Sequence, residues 1–134
     1  MHVAVLTAYT SDYELGGLTE PVNRAYAARH GYDFVCRVSP PCDRTSERHP
    51  SWDKVTLVNE ILSGLLRRRR DPSSTTVDNG LLCSPATTHL LWVDGDACVV
   101  RQEVSVASLW ATLPRGIELL IGEDVTPNCL LNAV

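Results

Sequence analysis

The stretch Leu90–Val100 reads LLWVDGDACVV and places two aspartates, Asp94 and Asp96, between apolar runs typical of a buried strand. An unpaired carboxylate that is taken out of water costs several kcal/mol, so a chain normally supplies a cation or a turn beside it. Gly95 lies between the two aspartates and allows the backbone to turn sharply. The sequence therefore predicts a charged turn at the end of a buried strand.

The composition predicts one domain over residues 1–134. The chain has 134 residues, of which 44% are hydrophobic, and this is enough for one core of ordinary size. The net charge of −4 gives no general attraction to nucleic acid or to anionic lipid. No apolar run approaches the roughly 18 residues of a membrane span. We therefore expect no nucleic-acid partner and no membrane span in this chain.

The cysteines indicate scattered thiols more than a metal site. Five are present, an odd number, and none forms a CxxC pair. A disulfide between Cys36 and Cys42 stays open only for an oxidising compartment.

Strand and helix patterns alternate along the chain. The predicted strands are Val3–Ala8, Asp33–Val38, His89–Val93 and Ile117–Gly122. The predicted helices are Thr19–His30, a long helix capped by Ser51 and ending in Arg67–Arg70, and Ser105–Leu113. The segment Asp71–Thr88 is rich in Pro, Ser, Thr and Gly and is predicted as a disordered insertion. The alternation predicts an α/β fold with a mainly parallel sheet and helices on both faces.

The spacing of apolar residues also predicts which side of each helix faces the core. The predicted inward residues are Val22, Ala25, Tyr26 and Arg29 in the first helix; Trp52, Val55, Val58, Leu62, Leu65 and Leu66 in the second; and Val106, Leu109, Trp110 and Leu113 in the third. The run Arg67–Arg70 is expected to be solvated and to complement the helix dipole, in preference to binding phosphate.

The turn Asp94-Gly95-Asp96 falls where an open parallel sheet has its binding crevice, beyond the carboxyl ends of the strands. Two carboxylates two positions apart can present oxygens to one Mg²⁺ or Mn²⁺, whose other positions are filled by phosphate oxygens and water. The alternative is a solvent-exposed turn after an edge strand.

Several stretches in a fixed order resemble the nucleotide-binding half of a GT-A (nucleotide-diphospho-sugar transferase) glycosyltransferase. They are VAVLTAYT, NRAYAARHGYDF, HPSWDKV, LLWVDGDACVV and LLIGEDVTPNCLLNAV. The chain is most similar to the galactosyl/xylosyl/mannosyltransferase family of fungal and plant Golgi enzymes, which act in galactomannan and mannan synthesis. The shared motifs are YAxxHGY at Tyr26–Tyr32, WxK at Trp52 and Lys54, and WxDxDA at Trp92–Ala97.

The resemblance implies a nucleotide-diphosphate sugar as donor and a glycan as acceptor. Asp94 and Asp96 would hold Mn²⁺ or Mg²⁺ on the diphosphate, with Gly95 beside it. The resemblance further implies that Thr7, Ala8 and Tyr9 line the base and ribose, that Lys54 approaches the phosphates, and that Asp124 and Asn132 lie near the donor sugar and acceptor as catalytic residues. Each residue also has an alternative, purely structural interpretation. Thr7 could be the buried end of a strand, Lys54 an ordinary surface lysine in the first turn of a helix, Asp124 a turn residue and Asn132 a helix or turn cap.

The activity implied is metal-dependent transfer of a hexose or pentose with retention of configuration. The family pattern LNxG reads Asn132-Ala133-Val134 here, and the family's later acceptor region and histidine do not follow. We therefore expect an incomplete GT-A domain. The alternative is a catalytically inactive nucleotide-binding remnant or an interaction fragment. A phosphotransferase of the haloacid dehalogenase type fits less well, because its DxD should follow the first strand.

Overall fold

A computed structural model describes residues 1–41, 49–71 and 82–120. The chain divides into two compact units, Met1–Glu103 and Val104–Val134. Among the described residues, the first unit contains the sheet and the two long helices, and the second contains one short helix.

The described residues of the first unit form a three-stranded parallel sheet in the order β2-β1-β3. The strands are β1 (Val3–Thr10), β2 (Asp33–Ser39) and β3 (His89–Trp92). The strand β1 lies in the middle, with Leu6 opposite Val35 on one side and opposite Trp92 on the other. This arrangement confirms the predicted α/β fold with a parallel sheet.

The helix α1 (Glu14–His30) joins β1 to β2 and begins five residues before the predicted start at Thr19. Residues 14–18 contain two glycines and precede the predicted helix, but close packing of Gly16 against Tyr9 accompanies the helical form of this segment. The helix ends as predicted at Gly31, whose φ of 65° is the left-handed conformation that glycine adopts without a Cβ clash.

The inward face of α1 differs from the prediction. Tyr26 is buried as expected, and its buried neighbours are Asn23 and Ala27. Val22, Ala25 and Arg29 are exposed instead. The prediction failed because a fully buried Asn carries no apolar signal.

The helix α2 (Asp53–Arg70) follows a single 3₁₀ turn, Pro50–Trp52. Ser51 is therefore not the cap of the long helix, and its own backbone N–H donates to His49 Nδ1 at 3.3 Å. The hydroxyl of Ser39 donates to Asp53 Oδ2 at 2.6 Å and ties the start of α2 to the end of β2. The run Arg67–Arg70 lies in the last turn, where cations complement the helix dipole.

The core face of α2 consists of Leu57, Ile61 and Leu65. Of the predicted face, Leu65 is buried and Val58 packs against the core. The prediction was wrong for four residues, which are exposed: Trp52, Val55, Leu62 and Leu66.

The two helices cover opposite faces of the sheet. Ala4, Leu6 and Val35 pack in one cluster with the core face of α2. Side chains alternate along a strand, so Val3, Val5, Thr7 and Tyr9 point to the other face. Tyr9 reaches α1 there, through a hydrogen bond to Glu20. The prediction of helices on both faces is confirmed.

Two residues of the predicted insertion, Ser84 and Thr87, contact Asp33 at the start of β2. The backbone N–H of Ser84 donates to Asp33 Oδ2 at 2.7 Å, and the hydroxyl of Thr87 donates to the same oxygen at 3.2 Å. Thr87 is fully buried. Cys83 and Thr87 are thus the buried residues in the described part of this segment, and residues 72–81 lie outside the described residues. Disorder of the insertion stays a prediction.

In the second unit, the helix α3 (Val106–Trp110) is shorter than the predicted Ser105–Leu113. Ser105 caps it, because its hydroxyl oxygen accepts from the backbone N–H of Ser108 at 3.0 Å. Leu109 was expected to face inward but is 56% exposed. Residues 117–120 form no strand, which corrects the described part of the prediction for Ile117–Gly122.

No helix within the described ranges has both the length and the hydropathy needed to span a membrane.

Candidate functional site

The candidate site lies at the carboxyl edge of the sheet. The parallel strands β1 and β3 end at the same edge, so Tyr9 and the turn after Trp92 are brought together. The turn is closed by the backbone N–H of Ala97, which donates to the carbonyl of Asp94 at 3.0 Å. The start of α2 brings Lys54 to this turn.

Asp94 is paired with a cation and with an indole. Lys54 Nζ lies 3.2 Å from Asp94 Oδ1. Trp92 Nε1 donates to the same oxygen at 2.6 Å. The ammonium of Lys54 also lies 5.6 Å from the centre of the Trp92 ring, a distance suited to a cation–π contact. The strand β3 is half-buried and lies at the edge of the described sheet, and both aspartates reach solvent, so the turn is more exposed than the sequence predicts. Lys54 nevertheless supplies a cation for Asp94.

Asp96 is the more exposed of the two aspartates. The hydroxyl of Tyr13, the residue just before α1, donates to Asp96 Oδ2 at 3.2 Å. Loss of solvent, followed by the negative charge of Asp96, raises the pKa of Tyr13. Tyr13 is therefore a neutral hydrogen-bond donor to this carboxylate at physiological pH.

Two side chains of α1 hold the backbone of the turn and of the segment after it. The hydroxyl of Thr19 donates to the carbonyl of Gly95 at 2.6 Å. Asn23, which has no exposed surface, donates through Nδ2 to the carbonyl of Ala97 at 2.9 Å. Its Oδ1 accepts from the backbone N–H of Val99 at 3.0 Å. The position of the carboxylates is thus set by α1 as well as by β3.

Tyr9 fills the space between α1 and the carboxylate turn. A Cβ placed on Gly16 would lie 2.3 Å from the ring carbon Cγ of Tyr9, and one on Gly95 would lie 2.9 Å from its Cβ. The Tyr9 hydroxyl donates to Glu20 Oε2 at 2.6 Å, and this hydrogen bond raises the pKa of Tyr9. Both glycines are needed because the backbone approaches the aromatic residue closely.

The structure brings together most, but not all, of the predicted site residues that it describes. Lys54 pairs with Asp94, and Asp96 follows in the same turn. A Cβ added to Gly95 would lie 2.9 Å from Tyr9 Cβ and 3.0 Å from the carbonyl oxygen of Ala8. Ala8 and Tyr9 are partly exposed, whereas Thr7 is only 2% exposed. The side chain of Thr7 is therefore too deeply buried to contact a ligand in this structure. Asp124 and Asn132 lie outside the described residues.

Sequence reasoning did not select Tyr13, Thr19 or Asn23 as members of the site. One signal was present, because Thr19 and Asn23 are spaced i, i+4 and lie on one side of a helix. Their targets are backbone groups of a segment more than 70 residues away, so no local pattern identifies the contact.

The carboxylate oxygens of Asp94 and Asp96 suit a hard cation whose coordination shell is completed by other ligands. Within residues 1–41, 49–71 and 82–120, no three His, Cys, Asp or Glu side chains are close enough to hold a metal ion. Two carboxylates are a common protein contribution to a Mg²⁺ site that also takes substrate phosphates and water. Asp94 and Asp96 therefore fit a cation held jointly with a phosphorylated ligand better than an all-protein metal site.

Comparison with known proteins places the fold. No protein-family model matches the sequence, and no curated protein matches it significantly. The structure is similar to the crystal structure of a glycosyltransferase involved in the glycosylation of the major capsid of PBCV-1, with a TM-score of 0.53 and 14% sequence identity. The match covers 90% of this chain and 49% of that chain, so this chain spans about half the length of the relative.

The likeness shows a fold shared with a glycosyltransferase. It agrees with the predicted GT-A type of α/β domain. The closer resemblance to the galactosyl/xylosyl/mannosyltransferase family stays a prediction.

Proposed function

We propose that this chain is part of a metal-dependent glycosyltransferase that moves a hexose or pentose from a nucleotide-diphosphate sugar to a glycan acceptor. The observation that carries the proposal is the ion pair of Lys54 with Asp94 at the carboxyl edge of a parallel sheet, in the turn that also holds Asp96. Open α/β sheets bind ligands at this edge. The fold shared with a glycosyltransferase supports the same conclusion.

In this proposal Asp94 and Asp96 hold Mn²⁺ or Mg²⁺ against the diphosphate of the donor. When bound, such a cation supplies Lewis-acid stabilisation of the negative charge that develops on a departing diphosphate. Lys54 adds a positive charge at the same place. Thr19 and Asn23 keep the turn in position, so little reorganisation is needed when charge develops.

The remaining predicted residues complete the proposal. Ala8 and Tyr9 are partly exposed at the end of β1 and would border the base and ribose, whereas Thr7 is buried and would not contact the ligand. Asp124 and Asn132 are proposed to lie near the donor sugar and acceptor. Retention of the anomeric configuration is the expected outcome.

A second candidate is a nucleotide-binding remnant without catalytic activity. It is favoured by the pairing of Asp94, whose Oδ1 already contacts the ammonium of Lys54 and accepts a hydrogen bond from Trp92. Binding and turnover therefore have to be measured separately.

Calorimetric titration of UDP and GDP, with and without Mn²⁺, tests the binding step. We expect Mn²⁺-dependent binding of one nucleotide to the wild-type chain and its loss in Asp96→Asn. The matched control is Glu103→Gln, which removes the same charge from an exposed carboxylate paired with Arg101. Binding that is independent of Mn²⁺, or equal in the two variants, would contradict the proposed site.

Release of UDP or GDP from the corresponding nucleotide sugars tests the catalytic step. Turnover that requires Mn²⁺ and Asp96 supports the transferase, and metal-dependent binding without turnover supports the remnant.

A further inference from the structure

Lys54 is the only lysine among the 12 basic residues of the chain. Its ammonium contacts Asp94, and its side chain is 22% exposed, whereas that of Asp94 is 45% exposed. The pair therefore lies partly out of water, where charges are screened less than at an open surface.

The ammonium of Lys54 and a divalent cation have the same sign and require the same carboxylate. A cation that arrives alone has to displace Lys54 from Asp94 or bind beside its positive charge, and both are unfavourable. Free Mg²⁺ or Mn²⁺ should therefore bind weakly to this turn.

A nucleoside diphosphate changes this balance. Its phosphate oxygens offer Lys54 a new acceptor, and they supply the ligands that two aspartates leave unfilled on the cation. Lysine suits this exchange because its ammonium is a point charge on a flexible stem, whereas a guanidinium would form a more rigid, two-pronged pair with a carboxylate.

The indole of Trp92 keeps Asp94 in place during the exchange. Trp92 Nε1 donates to Asp94 Oδ1 at 2.6 Å independently of Lys54. Departure of the ammonium thus leaves the carboxylate oriented by one hydrogen bond and free of its counter-charge.

We propose that Lys54 is a specificity-determining residue that occupies Asp94 until a diphosphate arrives, so that the site selects a cation–nucleoside diphosphate complex and rejects the free cation. This inference rests on the proposed function, because it assigns the order of events at the same site.

The test is a pair of calorimetric titrations on the whole chain, Mn²⁺ alone and UDP or GDP in saturating Mn²⁺. Lys54→Met should bind Mn²⁺ alone roughly tenfold more tightly and the nucleotide roughly tenfold more weakly, within the range of typical coupling between two ligands. Lys54→Arg keeps the charge and should still exclude free Mn²⁺. The control Arg37→Met removes the same charge from a separate pair with Glu60 and should change neither affinity.

The opposite signs of the two changes separate this role from a structural one, since a damaged site would lose both ligands. The inference is overturned if a folded Lys54→Met chain binds Mn²⁺ alone no more tightly than the wild type does. In that case Mn²⁺-dependent nucleotide binding by the wild type would still support the proposed function. Absence of any Mn²⁺-dependent nucleotide binding by the folded wild type would overturn both.

A second measurement needs no substitution. Because Lys54 is the only lysine, reductive ¹³C-methylation places one side-chain label, and we expect its NMR signal to shift with Mg²⁺ and UDP or GDP together but not with Mg²⁺ alone. An equal shift with Mg²⁺ alone would contradict the selection of the complex.

Discussion

At the scale of single residues, Gly95 shows why the carboxylate turn has its sequence. An added Cβ would lie 2.9 Å from Tyr9 Cβ and 3.0 Å from the carbonyl oxygen of Ala8. The second of these atoms belongs to the backbone of the central strand and cannot move aside cheaply. The glycine is therefore required by close packing between the turn and β1.

We predict that Gly95→Ala lowers the free energy of unfolding by about 1–3 kcal/mol, as overpacking does, and abolishes Mn²⁺-dependent nucleotide binding. The matched control is Gly17→Ala, because a Cβ on Gly17 meets no atom within 4 Å. The control should instead stabilise α1 by about 0.5–1 kcal/mol. Urea denaturation and calorimetry measure both effects, and equal stabilities for the two variants would refute this account.

Cys36 is a free, partly buried thiol on β2, close to the carboxylate of Glu20. Burial, followed by the negative charge of Glu20, raises the pKa of Cys36 to about 11. Only the thiolate is nucleophilic, and a rise from 9.0 to about 11 lowers its population at pH 8 about a hundredfold.

We therefore predict that iodoacetamide at pH 8 labels the exposed Cys98 long before Cys36, as read by peptide mass spectrometry. Glu20→Gln removes the nearby negative charge and should speed the labelling of Cys36. If Cys36 of the wild type is labelled as fast as Cys98, its thiol is not buried and its pKa is not raised.

At the scale of elements, α1 acts as the support of the carboxylate turn. Asn23 satisfies one carbonyl and one N–H of the segment 97–99, and it is the fully buried polar side chain of this helix. Its removal would leave two backbone groups without their partner, and such groups are costly when water cannot reach them.

We predict that Asn23→Ala costs about 1–3 kcal/mol of unfolding free energy and speeds hydrogen exchange at the amide of Val99. The matched control is Asn59→Ala on the exposed side of α2, for which we expect a change within about 0.5 kcal/mol. Slow exchange at Val99 in Asn23→Ala would mean that this amide is protected by other groups.

The inward face of α2 could not be chosen from spacing alone. Apolar residues occur on two sides of the helix, and the set Trp52, Val55, Leu62 and Leu66 has as good a helical spacing as the set Leu57, Ile61 and Leu65. Contact with Ala4 and Leu6 of the sheet selects the second set. The start of α1 was missed for a similar reason, since the ring of Tyr9 packs against Gly16 in a segment with weak helix propensity.

At the scale of the whole molecule, Glu20 links stability to pH in both directions. The hydrogen bond from Arg24, followed by that from Tyr9, lowers the pKa of Glu20. The ionised Glu20 carboxylate therefore stabilises the folded chain fully when the pH is above the pKa that Glu20 has in the unfolded chain. This stabilisation is lost as the pH falls through the lowered pKa of the folded chain. The raised pKa values of Cys36 and Tyr9 have the opposite effect. The neutral thiol and phenol stabilise the folded chain fully below the pKa values that they have in the unfolded chain, and this stabilisation is lost as the pH rises.

We predict that the urea midpoint is flat between about pH 6 and 8 and falls from about pH 9 upward, where Cys36 begins to be ionised in the unfolded chain. Glu20→Gln should make the alkaline decline shallower, because the thiol and the phenol then lose the adjacent negative charge. A wild-type midpoint that is unchanged up to pH 11 would contradict the role of these groups.

The sequence by itself determined the class of fold and the place of the candidate site. Short β-branched runs alternating with amphipathic segments specify parallel strands and helices, and the two aspartates after β3 fall at the carboxyl edge of the sheet for that reason. These features follow from local periodicity, which a single chain displays directly.

Only the tertiary structure decided which side of each helix is buried, that Ile117–Leu120 forms no strand, and which residues support the aspartates. Lys54 and Asp94 are 40 positions apart in the sequence and 3.2 Å apart in space between Nζ and Oδ1. Asn23 likewise binds backbone groups more than 70 residues further along the chain. Such contacts are set by how strands and helices pack in three dimensions, and packing has no periodic signature in the sequence.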